Sequence, residues 1–186
     1  SLPSGMEAKN IWDYILTSDI AQMEKWLSVT ENVEQINSLK RNGASLLYFA
    51  CIYGCSVPII SLILQNGADP NARNYYGQTI LYMACSHKDL AIVDVLMSSE
   101  RIDINAPSYG IGENDGATAF WLVCELGKAD RVKSLITKTK QPINCFPSIR
   151  NRRSSVLMVS CAAYHTDVIP LLLSLSEYRQ NIPAVQ

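Results

Sequence analysis

The chain repeats itself. Gly43 and Gly77, Tyr48 and Tyr82, Ala50 and Ala84, Cys51 and Cys85, and Asn71 and Asn105 are each 34 residues apart, and a fixed period of this size marks arrays of one supersecondary unit. The register continues with small slips: Cys124 follows Cys85 by 39 residues, Cys161 follows Cys124 by 37, and Asn37, Asn71, Asn105 and Asn144 are spaced 34, 34 and 39. Insertions therefore fall between units. Within each unit two short stretches of helical apolar spacing precede a loop: 45–53 and 57–65, 79–87 and 89–98, 118–126 and 129–138, 155–164 and 167–176. Neither helix of a unit can bury its apolar stripe alone, so the units must stack into an all-α array.

Composition agrees with a packed array. Of 186 residues, 48% are hydrophobic and 18% charged, with 16 Lys plus Arg against 17 Asp plus Glu and a net charge of -1. That excludes a polyelectrolyte, a disordered acidic or basic chain, collagen and mucin. Six cysteines are too dilute for a secreted disulfide scaffold, and no leader pattern opens the sequence, so a reducing intracellular compartment, cytoplasmic or nuclear, is expected. Asn42 to Ala68 carries no charged residue and is long enough to span a membrane. Gly54, Ser56 and Pro58 break it near the middle, where they suit a turn, a helix N-cap and a first-turn proline, and no span is expected.

The unit closes as Gly67-Ala68-Asp69-Pro70-Asn71-Ala72, Asp103-Ile104-Asn105-Ala106 and Ile143-Asn144, and opens as Gly43-Ala44-Ser45-Leu46-Leu47-Tyr48-Phe49-Ala50-Cys51, Gly77-Gln78-Thr79-Ile80-Leu81-Tyr82-Met83-Ala84-Cys85, Gly116 to Cys124 and Arg153 to Cys161. On these residues the chain resembles the ankyrin repeat family, in a divergent form. The resemblance implies a helical-repeat solenoid with projecting loop fingers. It divides the chain into a tag remnant or disordered N-terminus (1–8), a diverged N-terminal unit (9–37), four repeats (38–71, 72–105, 106–144 and 145–176) and a frayed end or the start of a further unit (177–186). Two departures stand out: the family proline is missing from every unit, and Tyr48, Tyr82, Trp121 and Met158 replace its histidine. Aromatic and thioether packing is expected to substitute for the histidine hydrogen-bond ladder.

No catalytic residue, metal site or cofactor is expected. Cys51, Cys85, Cys124 and Cys161 share one repeat position, where the family carries a small alanine at a helix contact, so they read as packing groups. The resemblance implies repeats stacked about 10 Å apart, too distant for disulfides between equivalent positions. Cys161 and His165, four apart, lack the orienting acid and oxyanion pocket that nucleophilic catalysis needs. The Gly110 to Gly116 loop, with Gly110, Gly112 and Gly116, carries two acids and follows no strand; it reads as a long flexible finger, not a phosphate cradle. Asn37, Asn71, Asn105 and Asn144 resemble hydroxylase substrates of the family, but turn stabilisation through side-chain bonds to the backbone is the preferred reading.

What remains is surface. Arrays of this family bind proteins through loop tips and the concave face of each first helix. Carried over residue by residue, that face comprises Arg41, Asn42, Ile52 and Tyr53; Arg73, Tyr75, Tyr76, Ser86 and His87; Asn114, Asp115, Glu125 and Leu126; and Asn151 and Arg152. Tyr75 and Tyr76 are the expected anchors, since aromatics give large contact area at low entropy cost. From Lys128 to Arg153 eight basic residues face one acid, Asp130. The function expected is a non-catalytic, monomeric protein-protein interaction module. Two alternatives stand beside it. One is the targeting part of a larger enzyme or scaffold; the other is an electrostatic module that takes an acidic protein, nucleic acid or anionic lipid on residues 128–153. Nucleic acid is the weaker candidate because no aromatics interleave with those charges.

Overall fold

A computed structural model of the chain describes residues 8–53, 55–87, 89–109, 115–145 and 155–175. It is built from short helices: α1 (Ala8–Thr17), α2 (Ile20–Leu27), α3 (Thr30–Glu34), α4 (Leu46–Tyr53), α5 (Val57–Gln65), α6 (Ile80–His87), α7 (Leu90–Met97), α8 (Ala119–Glu125), α9 (Ala129–Lys138), α10 (Val156–Ala162) and α11 (Ile169–Leu173). The all-α expectation needs one addition. Before α4 the first finger forms a small antiparallel hairpin, β1 (Lys40–Arg41) with β2 (Ala44–Ser45). Asn42 and Gly43 make its turn, both at positive φ.

The chain forms two compact units, Ser1–Ile102 and Asp103–Gln186. In the first, α1, α4 and α6 pack in one row and α2, α5 and α7 in a second, with each pair of rows joined through α1–α2, α4–α5 and α6–α7 contacts. In the second, α8 packs on α10 and α9 on α11. Helix α4 is apolar on every side, and Leu46 to Cys51 are all buried, as expected of a helix with neighbours all round. Ile15, Met23, Ile59, Ile63, Ile80 and Leu96 complete the core of the first unit; Phe120, Trp121, Val132, Leu135 and Leu172 form that of the second.

One hydroxyl per repeat sets where the first helix starts. Ser45, Thr79, Thr118 and Ser155 each accept a bond from the backbone N–H three residues on, at Tyr48, Tyr82, Trp121 and Met158, over 3.1–3.2 Å. Such a bond satisfies one of the orphan donors of a helix N-terminus. The helices consequently begin one residue after the hydroxyl residue. Helix α11 is shorter than its apolar pattern and carries Pro170 in its first turn. Ser56 occupies the N-cap position of α5, but its hydroxyl makes no hydrogen bond; its N–H instead donates to Ser18 Oγ at 3.1 Å.

The repeated asparagines do more than hold their own turns. Asn37 donates to Gly67 O at 3.0 Å and accepts from Asp69 N at 2.8 Å, and Asn71 donates to Arg101 O at 2.7 Å. Asn105 donates to Pro142 O at 2.8 Å and accepts from Asn144 N at 2.7 Å. Each thus ties one repeat to the next. The local turn is made by the preceding acid: Asp69 and Asp103 accept from Asn71 N and Asn105 N, both at 2.9 Å.

Two packing expectations fail in the last repeat. Cys51, Cys85 and Cys124 are buried, but Cys161 is exposed. Tyr48 and Trp121 are buried, whereas Met158 is 58% exposed. Helix α10 packs chiefly on α8 and α11, so the face that carries these two residues has no covering helix among the described residues.

Candidate functional site

Finger two, residues 73–79, is the most organised of the described loops. Arg73 and Thr79 pair as an isolated bridge at its base. Above it Asn74 N donates to Gln78 O at 3.1 Å and Gly77 N donates to Asn74 O at 3.0 Å, which places Tyr75 and Tyr76 at the centre of a four-residue turn. The Asn74 carboxamide holds that turn from inside. Its oxygen accepts from Tyr76 N at 2.9 Å and Gln78 N at 3.0 Å, and its nitrogen donates to Gln78 Oε1 at 2.9 Å. Arg73 Nη1 reaches across to Gly77 O at 2.7 Å.

The tip so braced carries two exposed rings. Tyr75 is 85% and Tyr76 60% exposed, and the rings meet edge to face with centroids 5.7 Å apart. Their backbone also lies close against the neighbouring finger, where a Cβ added at Gly43 would stand 3.0 Å from Tyr75 Cβ. Rigid backbone with exposed aromatic rings loses little entropy on binding.

The other expected surface residues separate into three groups. Arg41, Asn42, Tyr53 and Leu126 are exposed, while Ile52 is half-buried. Arg73, Ser86 and Glu125 are half-buried and make internal bonds: Arg73 to Gly77, Ser86 Oγ to Met83 O at 3.1 Å, and the Glu125 carbonyl to His165 Nε2 at 2.7 Å. Asp115 sits half-buried beside a closed loop base, where Ser108 N donates to Ala117 O and Gly116 N to Ser108 O, both at 2.8 Å. Asn114, Asn151 and Arg152, the loop tip at 110–114, and Arg150 and Arg153 of the basic stretch lie outside the described residues, as does the side chain of His87.

Sequence reasoning misses Asn74, although an Asn at the first position of a turn, bonding the backbone two residues on, is the usual signature of a side-chain-capped turn. It gives Trp12, Phe49 and Arg41 no common role. Trp12 and Phe49 stand edge to face at 5.1 Å, Phe49 stacks on Tyr53 at 4.2 Å, and the Arg41 guanidinium carbon lies 5.3 Å from the Phe49 ring centre and 6.0 Å from that of Trp12.

The titratable groups of the interior are poised for packing. Burial pushes the Cys55 thiol and the Tyr48 phenol each up to about 12, and pushes the Cys124 thiol up further. Such thiols stay protonated and poorly nucleophilic. Among the described residues no cluster of three metal-ligating side chains occurs, and no helix is long and apolar enough to cross a membrane.

Paired antiparallel helices, repeated in register and separated by fingers, define the chain as a helical-repeat protein. The kind of repeat can be stated as well: residues 18–108 match the family model described as "Ankyrin repeats (3 copies)". Similar proteins include the "Probable E3 ubiquitin-protein ligase XBOS33" of Oryza sativa subsp. japonica, 45% identical over 53 residues, covering 28% of this chain and 10% of that one. The human "Transient receptor potential cation channel subfamily A member 1" is 26% identical over 133 residues, covering 69% of this chain and 11% of the channel. The "E3 ubiquitin-protein ligase XBAT32" of Arabidopsis thaliana is 30% identical over 108 residues, covering 58% and 20%. The chain thus spans a small part of the length of these relatives. Ankyrin repeats generally serve as protein-protein interaction modules.

Proposed function

We propose that this chain is a non-catalytic module that binds a partner protein through its finger tips and concave first-helix face, with Tyr75 and Tyr76 as the anchor. The observation that carries the reading is the pair of exposed rings on a turn whose backbone is fixed by Asn74, Arg73 and contact with Gly43. Interface hot spots are enriched in tyrosine, and truncating one costs about 2 kcal/mol or more. Arg41, Asn42, Ile52, Tyr53 and Leu126 extend the surface within their own units. Residues such as Arg73, Ser86 and Glu125 act by holding it in shape.

A second reading has a specific support. The similar ligases and channel are far longer than the matched stretch, which suits a targeting part of a larger enzyme or scaffold. The same surface serves in both cases.

The test is a partner captured with the intact chain and then challenged with a Tyr75→Ala/Tyr76→Ala variant. Binding is expected to weaken by about 2 kcal/mol or more, with the thermal unfolding midpoint nearly unchanged. Charge reversal at Arg150, Arg152 and Arg153 is expected to matter less at physiological salt, where exposed charges are screened beyond about 8 Å. The opposite ranking would transfer the anchor to the basic stretch.

A further inference from the structure

We infer that Arg41, laid over Trp12 and Phe49 beside the exposed ring of Tyr53, is a preorganised receptor for one carboxylate of an acidic peptide segment that also carries a neighbouring apolar side chain. The inference rests on the reading of the chain as a protein-binding module, and it names a second subsite with its own ligand chemistry.

A surface arginine is normally costly to order, since its side chain carries about 2 kcal/mol of rotamer entropy. Here two features remove part of that cost. Arg41 stands on β1, whose pairing with β2 fixes its backbone, and its guanidinium lies within cation–π distance of two rings that are themselves fixed in packed helices. Attraction to a ring face uses none of the five N–H donors. Those donors have no protein acceptor among the described residues. An ordered guanidinium with its fork free matches a carboxylate, which it can hold by two parallel charge-assisted bonds.

The surroundings define the rest of the ligand. Tyr53, stacked on Phe49, is 58% exposed, and Ile52 beside it is half-buried. An aromatic or aliphatic side chain adjacent to the carboxylate would lie against them. Polyanions fit poorly: residues 1–102 hold seven Lys plus Arg against ten Asp plus Glu, so a nucleic acid strand would meet a net repulsive surface beyond Arg41 and Lys40. A single carboxylate on a short apolar segment needs only the local cation.

The intact chain is to be immobilised and offered two pools of end-capped twelve-residue peptides, random except for a central Glu-Phe in one and Gln-Phe in the other. Retention of the Glu pool about tenfold above the Gln pool is expected, the lower end of what one charge-assisted bond supplies. Arg41→Gln should bring the ratio to about one with an unchanged unfolding midpoint, and Tyr53→Ala should lower retention of both pools. If Arg41→Gln impairs folding, Arg41→Lys, which keeps the charge and loses the fork, should still cut the preference severalfold. The Tyr75→Ala/Tyr76→Ala variant should keep the Glu-to-Gln ratio whether or not finger two anchors a partner, which separates the two readings. Equal retention of the pools, retention of neither, a ratio unchanged by Arg41→Gln, or stronger retention of a twelve-residue oligothymidylate would each overturn the assignment.

Discussion

Gly43 and Tyr75 touch across neighbouring fingers, with no room for a side chain between them. Gly43 adopts φ +76°, and an added Cβ would meet Tyr75 Cβ at 3.0 Å. Gly43→Ala therefore carries two penalties, a left-handed backbone and displacement of the second finger. A destabilisation of about 1–2 kcal/mol is expected from the backbone. Because the displaced segment carries Tyr75, partner affinity should fall as well. Denaturant unfolding and a binding titration on the same variant check both parts; a stable variant with intact binding would show that the fingers yield independently.

The phenol of Tyr48 is buried beside the Asn74 carboxamide, with which it makes no hydrogen bond of good geometry. Tyr48→Phe removes that unsatisfied oxygen and is expected to stabilise the fold by about 1 kcal/mol at neutral pH. The alkaline limb follows from the same burial. Tyr48 and Cys55 titrate at about 12 in the fold against 10.0 and 9.0 in the open chain, so between these values the unfolded chain releases protons that the fold retains. Their contribution is complete below pH 9 and is lost as pH rises toward 12. Chemical denaturation across that window should show a steady decline, shallower in Tyr48→Phe.

Cysteine labelling offers a separate check on the last repeat. Cys161 is exposed and the other five thiols are buried, with Cys55 and Cys124 held protonated by burial. One thiol should react rapidly in the native protein and all six after denaturation without reductant. Rapid native labelling of several thiols, or a denatured count of two or fewer, would contradict the buried packing of Cys51, Cys85 and Cys124.

The asparagine bridges predict a graded loss. Asn105 closes two bonds with the following repeat, to Pro142 O and from Asn144 N, and Asn37 closes two with Gly67 and Asp69. Removing either side chain leaves backbone groups that water can partly reach, so a cost of about 1–2 kcal/mol is expected for Asn105→Ala and Asn37→Ala. Equilibrium unfolding of each variant measures it, and no loss in either would reduce these asparagines to turn residues.

Much of this was legible in the residues. The repeat register, slips included, marks the helix pairs of the four units, because burying an apolar stripe requires a neighbour whatever the detailed packing. Tyr75 and Tyr76 were legible as surface because the repeat register carries them onto a loop tip of the family. Arg41 over Trp12 and Phe49 was not, since it joins three segments that only folding brings together. Met158 and Cys161 misled for a different reason. Periodicity assigns equivalent positions equivalent roles, but burial depends on the helix packed outside, which, among the described residues, α4 and α8 have on those faces and α10 does not.

The same reasoning singles out a position where two repeats disagree. Gly127 and Tyr164 each stand three residues after their repeat cysteine, and both are left-handed, at φ +65° and +58°. Glycine adopts that conformation without penalty, while a bulky residue is strained by about 1–2 kcal/mol. Gly127 also has no space: a Cβ there would meet the His165 ring at 2.5 Å, and that ring is held by the Glu125 carbonyl. Gly127→Ala should therefore destabilise by about 2 kcal/mol or more, through strain and loss of the histidine bridge together. Tyr164 is 87% exposed, so Tyr164→Gly loses little packing and relieves the strain, partly offset by the greater freedom of glycine in the unfolded chain. A net gain of about 0.5 kcal/mol is expected. Thermal or urea unfolding of the two variants should move in opposite directions; a loss of stability in Tyr164→Gly would mean that this ring makes contacts that its exposure conceals.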